Sequence, residues 1–285
     1  MKVVSTVEQI RNQISNGHLT PIGFVPTMGA LHDGHISLVK KAIDLCPVVV
    51  VSIYVNPTQF NDKKDLKNYP RTLDSDLGLL EKVLRKDDIV FTPGDSEIYP
   101  EEDKRIFNFG NLDNVMEALH RPGHFNGVAQ VVSRLFDIVK PDKAIFGIKD
   151  FQQLAVIKKL MKQRGEKVEI IGHPIIREID GLAMSSRNRL LDPEIRKLAP
   201  EIYKTIKKAS AMIRNSEVSE IKSYVRDSIN SLPGFSLEYF EIADDDELIP
   251  VISKKEMKED KKYRGCIAVK AGNVRLIDNV EIEFA

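Results

Sequence analysis

Short apolar runs and helical patterns alternate through the N-terminal part of this chain, and that alternation restricts its fold more than any other feature. Ile22-Gly23-Phe24-Val25 reads as a strand closed by Pro26, with a helical stretch following over about 35–44. Residues 48–55 form a run rich in β-branched residues, the pattern of a strand buried on both faces of a parallel sheet. A stripe of Leu73, Leu77, Leu80 and Leu84 predicts a helix over 72–86. Further strands are expected at 88–91, 143–146 and 168–171, with helices over about 128–139 and 151–163. Such alternation predicts βαβ units and an α/β fold, a Rossmann-like doubly wound parallel sheet. Ligands of such sheets lie beyond the carboxyl ends of the strands.

The texture changes near Arg177. Charged helical patterns run over about 192–215 and 218–231, and after Pro233-Gly234 come strands at 236–242, 265–270 and 274–282. The expected organisation is a Rossmann-like domain over 1–176 and a smaller α+β C-terminal domain over 177–285. The charge cluster at 254–262 reads as a solvated loop.

Composition narrows the classes of function. Lys+Arg and Asp+Glu both number 42, so the formal net charge is zero, which argues against the basic footprint of a nucleic-acid binder. A neutral chain can still concentrate cations in one cleft. Cys46 and Cys266 stand in no metal-like spacing and read as small buried hydrophobes. No run approaches the roughly 18 apolar residues of a membrane span, and residues 1–5 show no apolar signal core. A cytoplasmic protein with no membrane or nucleic-acid partner is the expectation.

The segment most suggestive of chemistry is Pro26-Thr27-Met28-Gly29-Ala30-Leu31-His32-Asp33-Gly34-His35, directly after the first of these strands. Gly29 permits a tight turn, and Gly34 leaves no side chain between helix backbone and ligand. His32 and His35 share a face at a helix start, where free N–H groups attract phosphate and imidazoles can donate to phosphoryl oxygens. The pattern is neither a dinucleotide fingerprint nor a P-loop; it resembles the His-x-Gly-His signature of nucleotidyltransferases.

Other candidates lie after later strands, at the domain junction or in a loop. Met184-Ser185-Ser186-Arg187-Asn188 offers two hydroxyls and a guanidinium to phosphate oxygens. Gly147-Ile148-Lys149-Asp150 places Lys149 to neutralise phosphate charge, with Asp150 either capping the next helix or binding ribose. Gln153 can read a polar substrate, and Asn56-Pro57-Thr58-Gln59-Phe60 brings Gln59 to the same rim. Arg121-Pro122-Gly123-His124-Phe125 is a structured loop, either a substrate-side clamp or a cap.

Together the segments at 26–35, 56–60, 121–125, 149–153 and 180–188 resemble the pantoate–β-alanine ligase (pantothenate synthetase) family over essentially the whole chain. The resemblance implies adenylation of pantoate by ATP, then attack of β-alanine to give pantothenate and AMP. It implies ATP contacts from residues 26–35, Gly147, Ile148, Lys149, Asp150, Ile176, Met184, Ser185, Ser186 and Arg187. Charge on the phosphates would be stabilised by His35, His32, Lys149 and Arg187, and substrate held by Gln59, Gln153, Asn56 and Arg121. A requirement for Mg2+ and a homodimer are further implications; metal ligands are not indicated. An adenylate is useful only if water is kept out until the amine arrives, which calls for a closing lid, and the small C-terminal domain is placed to provide one. Ile148 departs from the family, which often carries an acidic or polar residue there. Another nucleotidyltransferase of the same fold, or a catalytically dead nucleotide-binding regulator, are the competing readings. The first would ask for more cations in the acceptor pocket, and the second conflicts with the intact His32, His35, Lys149 and Arg187.

Overall fold

The computed structural model describes residues 1–17 and 20–283 and divides into two compact units. The first comprises Met1–Phe109, Arg121–Ile148 and Gln153–Pro174, and the second Gly110–His120, Lys149–Gln152 and Ile175–Ala285. The expected division after residue 176 therefore falls inside the second unit, which starts at Ile175 and also takes in two short segments from earlier in the chain.

The first unit is built on six strands: β1 (Lys2–Val4), β2 (Ile22–Thr27), β3 (Val48–Ile53), β4 (Ile89–Phe91), β5 (Lys143–Gly147) and β6 (Glu169–His173). All pair in parallel, in the order β1-β4-β3-β2-β5-β6. Helices flank this sheet, so β3 is buried from Val48 to Ser52, which accounts for its unbroken apolar run. The order reverses at β2, whose next strand in sequence lies on one side and β5 on the other. β2 pairs with β3 over six residues but with β5 only at Gly23↔Lys143 and Phe24↔Ala144. The carboxyl ends of β2 and β5 thus do not pair with each other at the topological switch point, where open α/β sheets bind ligands.

Several local expectations shift. β2 continues through Pro26 to Thr27. The β5 ladder has already ended at Ala144, so the missing proline N–H breaks no bond on that side. The helix expected over 72–86 spans Leu73–Glu81, with Leu80 fully buried but Leu73 exposed. Helix His124–Val139 begins four residues before the expected start at 128 and takes in the end of the 121–125 loop. β1 and the helix Val7–Gly17 carried no sequence expectation.

The second unit has an antiparallel sheet of β7 (Phe235–Asp244), β8 (Tyr263–Ala271) and β9 (Val274–Glu281). Helices Glu201–Met212 and Val218–Asn230 pack on it through Ile202, Ile206, Ile221, Val225 and Ile229. The helical pattern over 192–215 is cut by Pro200 into Pro193–Leu198 and Glu201–Met212, as a residue without an N–H requires.

Both cysteines are free and buried. Burial raises the Cys46 thiol above its usual range and pushes that of Cys266 up to about 12, so neither supplies a thiolate near neutral pH.

One glycine decides a close approach within the first unit. A Cβ on Gly127, in helix His124–Val139, would lie 2.4 Å from the Thr58 carbonyl oxygen and 2.8 Å from the Gln59 nitrogen. Backbone on both sides cannot yield as a side chain would. Gly127→Ala is expected to destabilise the protein by about 1–3 kcal/mol, read as a lowered urea midpoint; an unchanged midpoint would remove the close approach as a constraint.

Candidate active site

The turn after β2 is set by backbone conformation first. Gly29 and Ala30 have φ of 77° and 48°, left-handed values that cost an alanine of order 1–2 kcal/mol. Gly29 also has no room for a side chain, since a Cβ would lie 3.0 Å from Asp76 Oδ2 and 3.1 Å from Ile53 Cγ2. The Asp76 carboxylate, 1% exposed, holds the turn. Its Oδ2 accepts from the Ala30 N–H at 2.9 Å, and its Oδ1 from the Leu31 N–H at 2.8 Å and the Thr72 hydroxyl at 3.1 Å. Thr27 Oγ1 donates to the Ser52 carbonyl at 2.7 Å and accepts from the Gly29 N–H at 3.3 Å. β2, β3 and the helix Leu73–Glu81 thus fix the exit from the sheet.

That exit delivers the chain into the helix Asp33–Leu45, with His32 as its N-cap. His32 Nδ1 accepts from the Gly34 N–H at 3.2 Å, while His35 Nδ1 accepts from the His32 N–H at 3.4 Å. The reciprocal capping otherwise typical of Ser and Glu is here made by two histidines. An Nδ1 that accepts carries no proton, so in the neutral form each ring has its N–H at Nε2. Two imidazole donors, their centroids 4.1 Å apart, stand at the positive end of a helix dipole. Asp33 beside them is exposed.

A second cluster holds Gln59. Asn56, 1% exposed, donates to Gln59 Oε1 and to the Gly127 carbonyl, both at 3.1 Å. Its own oxygen accepts from Tyr99 Oη at 2.9 Å and Thr58 Oγ1 at 3.0 Å. Both ends of this amide are engaged, so Asn56 orients Gln59. The Gln59 carbonyl accepts from His124 Nδ1 at 2.8 Å, which fixes the opposite tautomer there and leaves Nε2 to accept from Arg121 Nη1 at 3.1 Å. The guanidinium of Arg121 also reaches the Gln59 carbonyl, at 3.5 Å. Gln59 Nε2 lies 3.0 Å from Met28 Sδ, a weak acceptor, so the amide faces the 26–35 turn with most of its donor capacity unspent.

At the end of β5, a Cβ on Gly147 would meet nothing within 4 Å. Ile148 covers β6: its Cγ2 would lie 2.9 Å from a Cβ on Gly172. The Gln153 side chain is half-buried and makes no hydrogen bond among the described residues, whereas its neighbour Gln152 is buried and holds the Leu112 and Val115 carbonyls.

In the second unit, Lys149 pairs with Asp150 at 3.6 Å. Met184 donates its N–H to the Ile176 carbonyl at 3.0 Å, closing an arch that turns at Gly181, φ 96°. Ser185 caps the 3-10 turn Ser186–Leu190 by accepting the Arg187 N–H at 3.3 Å. Asn188 Nδ2 donates to Glu178 at 2.7 Å and to the Ala183 carbonyl at 3.1 Å. Arg177 binds Asp278 through both terminal nitrogens, at 2.6 and 3.0 Å, and lies over the Tyr203 ring at 3.5 Å. Within the first unit the 26–35 turn meets Gln59 through Met28, and within the second Ile176 meets Met184. Asp76, His124, Gly127, Arg177 and Asp278 were not singled out as site residues by sequence reading. Only Arg121-Pro-Gly-His-Phe pointed towards one of them, His124.

An open, all-parallel sheet flanked by helices, with a histidine-capped helix leaving its switch point, places the protein in the doubly wound α/β class. A model described as pantoate-beta-alanine ligase matches residues 2–281. The chain belongs to that family. It is 51% identical over 285 residues to the pantothenate synthetase of Phocaeicola vulgatus and 49% identical over 284 residues to that of Bacteroides thetaiotaomicron, with 99% of each chain covered. Among solved structures, the pantothenate synthetase of Thermus thermophilus superposes with a TM-score of 0.90 at 40% identity, covering 99% of each chain. The pantoate-beta-alanine ligase of Francisella tularensis, solved with beta-gamma ATP and beta-alanine, gives 0.81 at 35% identity, covering 100% of this chain and 99% of that one.

Removing the carboxylate beneath the turn should be felt directly. Asp76→Ala is expected to cost about 2–4 kcal/mol by stripping the acceptor from two buried backbone N–H groups. Asp76→Asn, which keeps one carbonyl oxygen, should cost less. Wild-type urea curves for both variants would show that the carboxylate does not hold the turn.

Proposed function

We propose that this protein condenses pantoate with β-alanine at the expense of ATP, giving pantothenate, AMP and pyrophosphate through a pantoyl adenylate. Family membership supports the reaction class, and the observation that carries the reading is the pair of Nε2–H donors at the start of helix Asp33–Leu45. In the first step a pantoate carboxylate oxygen attacks the α-phosphorus, and the bond from that phosphorus to the pyrophosphate oxygen breaks. In the second the β-alanine nitrogen attacks the activated acyl carbon. The carbon–oxygen bond to AMP breaks, and the nitrogen gives up a proton. Neither step needs a covalent link to the enzyme; positioning and charge stabilisation suffice.

ATP is assigned to residues 26–35, Gly147, Ile148, Lys149, Asp150, Ile176, Met184, Ser185, Ser186 and Arg187. His32, His35, Lys149 and Arg187 stabilise charge on the phosphates and the leaving pyrophosphate. Gln59 and Gln153 hold pantoate, Gln59 lies near β-alanine, and Asn56 and Arg121 serve by orienting Gln59. Segment 177–285 acts as the lid that keeps water from the adenylate. No group of three or more His, Cys, Asp or Glu among the described residues is arranged to hold a metal. Mg2+ would enter with the nucleotide and would neutralise charge on its phosphates. The protein works as a cytoplasmic homodimer in this reading; among the described residues no helix is long and apolar enough to cross a membrane.

Purified protein given MgATP, pantoate and β-alanine together should release AMP and pantothenate in equal amounts; no AMP above background would overturn the assignment. His35→Ala should slow adenylation about 10²–10³-fold by removing a donor aimed at the phosphates. The lost cap costs only about 1 kcal/mol, so the variant should remain folded by circular dichroism. Normal turnover would free His35 of the role.

A further inference from the structure

The C-terminal strand β9 carries a buried polar dipeptide, Asp278-Asn279, 4% and 2% exposed. Successive strand residues point to opposite faces, which lets adjacent positions serve two different segments of the second unit. Asp278 accepts both terminal nitrogens of Arg177, at 2.6 and 3.0 Å, while Arg177 also donates to the Gly181 carbonyl at 3.2 Å and the Asn279 carbonyl at 3.4 Å. The arch that joins Ile176 to Met184 is therefore tied to β9. Asn279 Nδ2 donates to the Lys149 carbonyl at 3.0 Å, and its Oδ1 accepts from Arg264 Nη1 at 3.0 Å. Arg264 lies over the Phe151 ring at 4.3 Å, so the segment that carries Lys149 is held at two points.

Burial raises the Asp278 carboxyl above its usual range, while Arg177 and the more distant Lys149 draw it down. A buried carboxylate left without its guanidinium would be costly, so the pair acts as one unit. The strand itself is fixed by a full antiparallel ladder to β8, with Ile267↔Asp278 and Cys266↔Asn279 in register.

We propose that Asp278 and Asn279 are positioning residues for the adenylation step: one dipeptide of β9 fixes the Lys149 backbone and the 176–187 arch at a set spacing, so that both present their groups to the same triphosphate. The inference rests on the proposed ATP-dependent reaction and deepens it. Its consequence is selective, because the spacing matters to the step that handles triphosphate and not to the attack of the amine on a finished adenylate.

The test compares two half-reactions of the full-length protein. Pantoate-dependent exchange of labelled pyrophosphate into ATP reports the first, and aminolysis of supplied pantoyl adenylate by β-alanine reports the second. Asn279→Asp keeps the shape and the Arg264 contact but removes the donor to Lys149; Asn279→Ala removes both. Asn279→Asp is expected to slow exchange about tenfold, the loss of one well-made hydrogen bond, Asn279→Ala to slow it further through loss of the Arg264 contact as well, and both to raise the KM for MgATP. Aminolysis and the KM for β-alanine should stay within about twofold of wild type. Equal loss in both half-reactions, unchanged exchange, or failure of both variants to fold would each overturn the proposal. Absence of exchange and AMP in the wild-type protein would instead overturn the underlying functional reading.

Discussion

A chain leaving a parallel sheet at its switch point must turn sharply within a few residues, and every polar backbone group it buries there needs a partner. The Asp76 carboxylate meets that need. By taking the Ala30 and Leu31 N–H groups it holds two successive residues, Gly29 and Ala30, in left-handed conformation, which sets the direction in which helix Asp33–Leu45 starts. The orientation of His32 and His35, and with it the tautomer of each ring, follows from that start. Were the turn free to relax, the two rings would lose their fixed places at the helix start, where the dipole of the helix acts.

The same division recurs elsewhere: a residue suited to contact a ligand is held by a buried one that is not. Gln59 has its side chain set by Asn56 and its carbonyl by His124 and Arg121, and the loop can approach helix His124–Val139 only because position 127 is glycine. In the second unit, Arg177 and Asp278 play this part for the arch ending at Met184. Buried hydrogen bonds specify a single arrangement because leaving any one unmade is more expensive than making it is favourable. A neutral chain with 42 charges of each sign can in this way keep a few donors ordered without an excess of positive charge.

Much of this was legible beforehand. The β-branched run at 48–55 announced a buried parallel strand, and the alternation announced the doubly wound sheet, because both are consequences of local periodicity. β1 escaped because three residues are too few to show a period. The break at Pro200 was available in principle, since a proline inside a helical pattern is a local signal. Gln152 and Gln153 could not be told apart: adjacent, identical in chemistry, one has its side chain buried on three backbone groups and the other makes no side-chain hydrogen bond among the described residues. Only the direction each takes from its helix separates them.

By itself the sequence determined the fold class and the placement of chemically capable residues after strands, because periodicity and glycine or proline punctuation act over a few residues. It also determined the family, since five separated segments match jointly. Only the tertiary structure decided which of those residues are held and by what. The contacts between Asp76 and Ala30, Asn56 and Gly127, and Asn279 and Lys149 join positions 46, 71 and 130 residues apart. No local pattern encodes such a pair, because the energy that fixes it comes from burying both partners together, and that burial exists only once the chain has folded.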